Sequence, residues 1–327
     1  MKLQLETLYK NKESVNDHFL QDVIDGLTQN PKQLQSKYFY DKKGDALFQE
    51  IMAMPEYYVT RCEMDIFQNK TKNLATEILA DGSPFDLIEL GAGDASKSLH
   101  LLKYLQHTGA EFTYMPIDIS GNILEILDQK LKTHIPDLDI LLLEGDYFEM
   151  LQKASNVSSR RKAVLFLGSN IGNMELSEAS DFCFELRKNL NQKDIVLIGF
   201  DLKKDPHTIL NAYNDPKGVT ASFNLNLLER INRELDGSFD LRKFEHYQNY
   251  DPLSGACRSY LVSLENQNVN IGIHSIDFKK DEVVYMEVSQ KFSIEDIQDL
   301  SDSNGFKLNK TIMDSKKWFA DAFWTAV

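Results

Sequence analysis

The sequence predicts an α/β fold: a mostly parallel sheet with helices on both faces, joined to a smaller α+β domain. Three observations predict it. Apolar runs of strand length alternate with helical patterns between Asp86 and Phe200, which is the signature of a parallel sheet built by crossovers. The alternation breaks after Asp201 and gives way to apolar residues at period two. The chain has 327 residues, 42% hydrophobic and 26% charged, long enough for one large domain or two smaller ones with a real core.

The elements follow in order. Val15, Phe19, Leu20, Val23, Ile24 and Leu27 share one face of an opening helix that Ser14 could cap. An aromatic loop, Lys37-Tyr38-Phe39-Tyr40-Asp41, leads to a short helix through Ala46, Leu47 and Ile51, which Pro55 stops. A single helix is expected from Glu63 to Leu79, ending at the turn Asp81-Gly82-Ser83-Pro84. Strands are expected at Asp86–Leu90, Phe112–Ile119, Leu138–Leu143, Lys162–Leu167 and Ile195–Phe200, with helices at Ile123–Leu131 and Ala179–Leu190. Helical spacing returns at Phe223, Leu227, Leu228, Ile231 and Leu235. Period two then marks strands around Tyr260 and Val262, and through Val269, Ile271 and Ile273. A helix near Ile294–Leu300 and strands near Leu308–Met313 and Phe319–Trp324 complete the main sheet. This reading divides the chain into a sheet domain, 63–202 with 286–327, and a smaller domain, 1–62 with 203–285.

Composition narrows the partners. With 36 basic and 50 acidic side chains the net charge is −14, which argues against a nucleic-acid partner because phosphate affinity needs clustered Lys and Arg. No run approaches the ~18–20 apolar residues of a membrane helix, and the polar segment Met1–Lys12 has no signal-peptide core. Cys62, Cys183 and Cys257 are scattered, and the seven His form no ligand pair. No metal site and a reduced, cytoplasmic setting are expected. Lys203 and Lys204 read as a solvated face.

The most informative stretch is Ile88-Glu89-Leu90-Gly91-Ala92-Gly93-Asp94-Ala95-Ser96-Lys97-Ser98. A buried strand ends in a Gly-x-Gly turn that opens a helix, so the backbone can turn sharply and a ligand can approach closely. A dinucleotide fingerprint would carry a third glycine where Ser96 stands, and the P-loop order is absent. Asp118 closes the second strand, and Asp146, in Glu144-Gly145-Asp146-Tyr147, follows the third. Either Asp alone is more commonly a cap or turn former. Together with the glycine turn they mark three successive strand C-termini, where open α/β sheets bind ligands. Glu89-x-Gly91-x-Gly93 with these acids resembles the first motifs of the Rossmann-like class I S-adenosylmethionine-dependent methyltransferases.

The resemblance sharpens along the chain. Phe166-Leu167-Gly168-Ser169-Asn170-Ile171-Gly172-Asn173 stands where adenine methylases carry a [DN]PP[YFW] motif. Lys37–Asp41, Met54-Pro55-Glu56-Tyr57-Tyr58-Val59-Thr60-Arg61, Asp201–Pro206, Ala212–Asp215, Gly218–Asn224, Asn232–Leu235 and Glu287-Val288-Ser289-Gln290-Lys291-Phe292 complete an ordered set. It is similar to the histidine-specific Nα-methyltransferases of ergothioneine biosynthesis, which include a fungal branch acting on a prenylated tryptophan. The resemblance implies an enzyme that trimethylates the α-amine of L-histidine to hercynine, with S-adenosylmethionine as co-substrate and no metal. The partner would be a small amino acid, with no nucleic acid and no membrane, and the enzyme would be a monomer.

By the same resemblance, Gly91, Lys97, Asp118, Asp146 and Tyr147 hold the donor, alongside Gly93 of the turn. Asn173 and Tyr213 bind the amino acid's carboxylate, Tyr57 and Tyr40 are catalytic at the amine, and Glu287 with Ser289 holds the imidazole. An amide and a phenol both donate to a carboxylate, and residues two apart on a strand share a face. One departure stands out near Cys257–Ser263. The family carries an acidic-then-methionine pair there, whereas Arg258 takes the acid's place and Ser259 the methionine's, at the substrate side chain. Two other readings follow: the same scaffold methylating a different amino acid or small amine, and a non-catalytic cofactor-binding module.

Overall fold

The computed structural model describes residues 17–327; Ser14 and Val15, the expected cap and first apolar residue of the opening helix, lie outside them. Residues 17–28 are helical (α1), with Phe19, Val23 and Leu27 each only 1% exposed. Then come β1 (Lys32–Gln33), α2 (Lys42–Ala53), α3 (Val59–Asn69), α4 (Thr71–Ile78), β2 (Phe85–Leu90), α5 (Ser98–His107), β3 (Phe112–Asp118) and α6 (Gly121–His134). β4 (Leu143–Glu144), α7 (Tyr147–Val157), β5 (Arg161–Phe166), α8 (Leu176–Lys188), β6 (Ile195–Asp201), α9 (Pro206–Tyr213) and α10 (Val219–Glu234) follow. The chain ends with β7 (Phe244–Tyr250), β8 (Ala256–Ser263), β9 (Gln267–Ile271), β10 (His274–Phe278), β11 (Val283–Gln290), α11 (Ile294–Ser303), β12 (Phe306–Met313) and β13 (Phe319–Ala326).

Two compact units result, 59–204 with 290–327 and 1–58 with 205–289. The first contains a seven-stranded sheet of order β12-β13-β6-β5-β2-β3-β4. β13 runs antiparallel to β12 and β6, and the pairs β6–β5, β5–β2, β2–β3 and β3–β4 are parallel. This is a doubly wound arrangement, as the sequence predicts. Every residue of β2 and of β6 is buried, as strands covered on both faces must be. Phe200 anchors the far half of this core, 5.0 Å from Phe292 and 5.7 Å from Trp324 between ring centroids. The chain reverses its direction of winding between β2 and β5, and such a switch point leaves a crevice beyond the strand C-termini.

Four expectations need correction. The helix Glu63–Leu79 is two helices, broken at Lys70 (φ −126°, ψ 16°); its ammonium donates to the Met313 carbonyl at 2.5 Å and the Thr71 hydroxyl takes the Phe67 carbonyl. The third strand is short: only Leu143–Glu144 joins the ladder, with one bridge from Ile140 to Tyr114, because an edge strand is held from one side alone. Ile273 does not continue β9; it sits 97% exposed at the hairpin tip beside Gly272 (φ +53°). Lys204 is not solvated but 5% exposed and paired with Asp201, which Lys291 contacts at 2.7 Å from the other side. Asp201 and Lys291 are wholly buried, and a carboxylate brought into a core requires such counter-charges. Lys203 pairs with Asp296 at 3.0 Å.

The second unit carries a four-stranded sheet, β1-β11-β8-β7, and the β9–β10 hairpin. α10 packs on α2, β7 and β8. Asp41 knits this packing: it caps α2 through the Gly44 N–H at 2.7 Å and accepts from Asn226 of α10 at 2.8 Å and from Arg233. The strands are two-faced. Cys257, Ser259 and Leu261 of β8 and Val284, Met286 and Val288 of β11 are buried, while Arg258, Tyr260, Tyr285, Glu287 and Ser289 are only half-buried. Among the described residues no helix is long and apolar enough to cross a membrane.

Candidate active site

In the unit of 59–204 and 290–327 the glycine turn leaves the C-terminus of β2 with Gly91 at φ +68° and Gly93 at φ +53°. A Cβ on Gly91 would stand 2.7 Å from the Tyr147 hydroxyl, whereas one on Gly93 would meet nothing within 4 Å. The turn is pinned to β3, for the Gly91 and Ala92 N–H groups donate to the Ile117 carbonyl at 2.9 and 3.2 Å. At the end of β3, the Asp118 carboxylate accepts from the Gly93 N–H at 3.2 Å on one oxygen and from the Ser120 N–H at 3.0 Å on the other. Four acceptor sites exist on a carboxylate, so both oxygens keep capacity toward a ligand's hydroxyls.

Asp146 caps α7, its Oδ1 accepting from the Phe148 and Glu149 N–H groups at 2.9 and 3.4 Å. Tyr147 beside it packs edge-on to Phe166 at 6.0 Å. Burial, reinforced by the Asp118 and Asp146 charges, pushes its hydroxyl up to about 12, so it is a neutral hydrogen-bonding group. Lys97 stands at the N-terminus of α5 and pairs with Glu63 of α3. Asn173 is exposed at the end of the short 3-10 turn Asn170–Asn173 that follows β5.

Glu63 was not singled out by the sequence reading. It is 0% exposed and accepts the Gly168 N–H with both oxygens, at 2.8 and 3.0 Å, while pairing with Lys97. One carboxylate thus ties the loop after β5 to the lysine. A signal existed, since Glu63 stands within the apolar stripe of Val59, Cys62, Ile66 and Phe67, where an acid must have a partner. Asp321 of β13 is buried next to it, at the register position of Gly199, the glycine whose Cβ would stand 2.5 Å from Glu63 Oε1. Burial and the Glu63 charge hold the Asp321 carboxyl well above its ordinary range. Glu89 accepts from the Tyr114 hydroxyl at 2.5 Å and burial raises it to about 7. It serves the core beneath the turn.

In the unit of 1–58 and 205–289, the Tyr213 hydroxyl and the Ser289 hydroxyl are 2.7 Å apart. The Tyr57 and Tyr213 rings meet edge to face at 6.0 Å. Glu287 lies two residues from Ser289 on β11, on the same half-buried face. Tyr57, Tyr213 and Ser289 are therefore gathered at the C-terminal end of β11, with Glu287 on the same face of that strand. Tyr40 sits 46% exposed against Phe48 and Phe223, at 5.6 and 5.7 Å. Ser259 departs from expectation: it is 3% exposed, opposite Gln248 of β7 on the buried face, because odd and even positions of β8 point to opposite sides. Arg258 is the residue of that pair on the Glu287 side.

Comparison with known proteins decides the family. The family model described as "Histidine-specific methyltransferase, SAM-dependent" matches residues 19–326. The chain belongs to this family. A histidine N-alpha-methyltransferase of Mycobacterium tuberculosis (strain CDC 1551 / Oshkosh) is 35% identical to it over 273 residues, covering 83% of each chain. One from Mycolicibacterium smegmatis is 34% identical over 291 residues, covering 88% of this chain and 89% of the relative. Ergothioneine biosynthesis protein 1 of Schizosaccharomyces pombe is 29% identical over 282 residues, covering 84% of this chain and 36% of the longer relative. The protein is an S-adenosylmethionine-dependent N-methyltransferase. Its glycine turn fits that donor: Gly93 leaves open space at a left-handed backbone position, and Asp118 presents acceptors at the strand end.

Proposed function

We propose that this methyltransferase methylates the α-amine of L-histidine and carries it to the trimethylated betaine, hercynine. The observation that carries this reading is the cluster of Tyr57, Tyr213, Ser289 and Glu287 at the C-terminal end of β11. The two most similar relatives reported above bear histidine N-alpha-methyltransferase names, which supports it. The unit of 59–204 and 290–327 is assigned to the donor and the unit of 1–58 and 205–289 to the amino acid.

The residues divide the work by chemistry. Gly91 and Gly93 let the backbone come close to the donor, Asp118 accepts from its ribose hydroxyls, and Lys97 with Tyr147 completes its cradle. Bound there, S-adenosylmethionine supplies an electrophilic methyl group on a cationic sulfur. Tyr213 donates to the amino acid's carboxylate, the end common to every amino acid. Tyr57 orients the amine, whose lone pair must be free of a proton to attack, and Tyr40 adds a second aromatic surface. Alignment of that lone pair and exclusion of water supply the main acceleration. A quaternary ammonium product needs no hydrogen bond and is tolerated by aromatic faces. Glu287 and Ser289 address the two ring nitrogens, one accepting and one donating.

Mass spectrometry of L-histidine incubated with enzyme and donor tests this. The expected result is stepwise appearance of species with one, two and three added methyl groups on the α-nitrogen. Unmodified histidine, alongside rapid methylation of another amino acid or amine, would reject it.

A further inference from the structure

The placement of β8 against β11 puts a cation where the substrate's side chain is to be read. The Ser263 N–H donates to the Glu282 carbonyl at 2.9 Å, and the Asp281 N–H donates to the Ser263 carbonyl at 2.8 Å. Asp281 lies at φ +66°, so the strands meet in a bulge and run antiparallel from there. Counting inward from Ser263 opposite Glu282 places Tyr260 opposite Tyr285, and their rings are 5.9 Å apart. Two residues further, Arg258 stands opposite Glu287. Directly opposed residues hold their Cβ atoms about 4.5–5.5 Å apart, well within reach of a guanidinium and a carboxylate.

We infer that Arg258 is a specificity-determining residue that makes the Glu287 subsite select a neutral imidazole over an imidazolium. The inference rests on the reading of Glu287 as the imidazole's partner. A lone carboxylate at that subsite would favour a cationic side chain. With Arg258 opposite it the local charge is balanced, and binding of a cationic ring is penalised by the nearby guanidinium. Glu287 then serves as a neutral ring's N–H acceptor, and Ser289, on exchanging its 2.7 Å bond with Tyr213 for the ring, donates to the bare nitrogen. The nearer titratable groups on this face are the phenols Tyr260 of β8, Tyr285 of β11 and Tyr247 of β7, with Tyr57 against Tyr213, and the carboxylate Glu245 of β7 lies opposite Val262, four residues along β8 from Arg258. His246 of β7 is on the opposite face, in register with Leu261, and its burial pushes it down to about 4, below the range that matters.

The test is calorimetric titration of L-histidine into the full-length enzyme, saturated with S-adenosylhomocysteine, at pH 5.5 and 7.5. The α-amine stays protonated throughout that range, so the ring is the substrate group that titrates. With an imidazole pKa of about 6.5, the neutral fraction falls about tenfold between those values. The wild-type Kd is therefore expected to rise about tenfold at pH 5.5. Arg258→Met should reduce that dependence to about twofold or less, or reverse it, and Arg258→Lys should restore it. A wild-type Kd that does not change with pH, or an Arg258→Met variant with the wild-type profile, overturns the inference while histidine binding itself still stands. If the wild-type enzyme neither binds nor methylates histidine at pH 7.5, the functional reading falls, and this inference with it.

Discussion

Tyr213 and Ser289 meet hydroxyl to hydroxyl at 2.7 Å, joining the last residue of α9 to the end of β11 within one compact unit. The contact spends one hydrogen-bonding capacity of each group and leaves both oriented. Tyr213→Phe keeps the ring that packs on Tyr57 and removes the hydroxyl. A hydrogen bond to a charged group contributes about 1.5–3 kcal/mol, so the KM for the amino acid is expected to rise by about tenfold or more. The melting temperature should hold, and steady-state kinetics with a thermal melt read both.

Glu63 links Lys97 to the Gly168 N–H. Glu63→Gln removes the charge that fixes the lysine while preserving one acceptor for the amide. Donor affinity is expected to fall several-fold with little change in the KM for the amino acid. Lys97→Ala should move it in the same direction, and calorimetry with S-adenosylhomocysteine measures both. Equal losses for donor and amino acid would show a general collapse instead.

Gly91→Ala places a methyl 2.7 Å from the Tyr147 hydroxyl at φ +68°. The left-handed backbone alone costs a non-glycine residue about 1–2 kcal/mol, and the collision adds to it. Donor binding is expected to weaken at least tenfold. Added to Tyr147→Phe, Gly91→Ala should cost less donor affinity than it does in the wild type, because the collision is relieved while the backbone strain persists.

Glu89 carries a pH dependence of stability. Its carboxyl is raised from the ordinary 4.5 to about 7, chiefly by burial, so between these values the folded protein holds a proton that the unfolded chain has lost. Stability from this group is full below about pH 4.5 and is lost as pH rises to about 7. At about 1.4 kcal/mol per pKa unit, the loss is on the order of 3 kcal/mol. Glu89→Gln keeps an acceptor for Tyr114 and removes the titration. Urea melts at pH 5 and pH 8 should show the variant gaining stability over wild type at pH 8 and matching it more closely at pH 5.

Much of the fold was legible because burial imposes local periods. Ala163–Phe166 of β5 and Ile195–Phe200 of β6 stand in the sequence as unbroken apolar runs, since both of their faces are covered. The edge strand β4 and the break at Lys70 were not legible. A two-residue ladder needs few apolar residues, and the break follows from a lysine reaching Met313, 243 residues away. Lys204 misled although Asp201 stands only three residues before it, because the burial of that pair against Lys291 is a property of the packed chain.

The sequence by itself determined the alternating sheet, the glycine turn with its acids at successive strand ends, and the family. These depend on spacing, which a chain carries without folding. Only the tertiary structure decided that Glu63 holds Lys97, that Ser259 is turned into the core, and that Arg258 stands across from Glu287. Each is a pairing between distant segments set by strand register or helix packing, and a one-residue slip in a strand exchanges its two faces. Register is fixed by which groups can be buried together, a property of the packed chain.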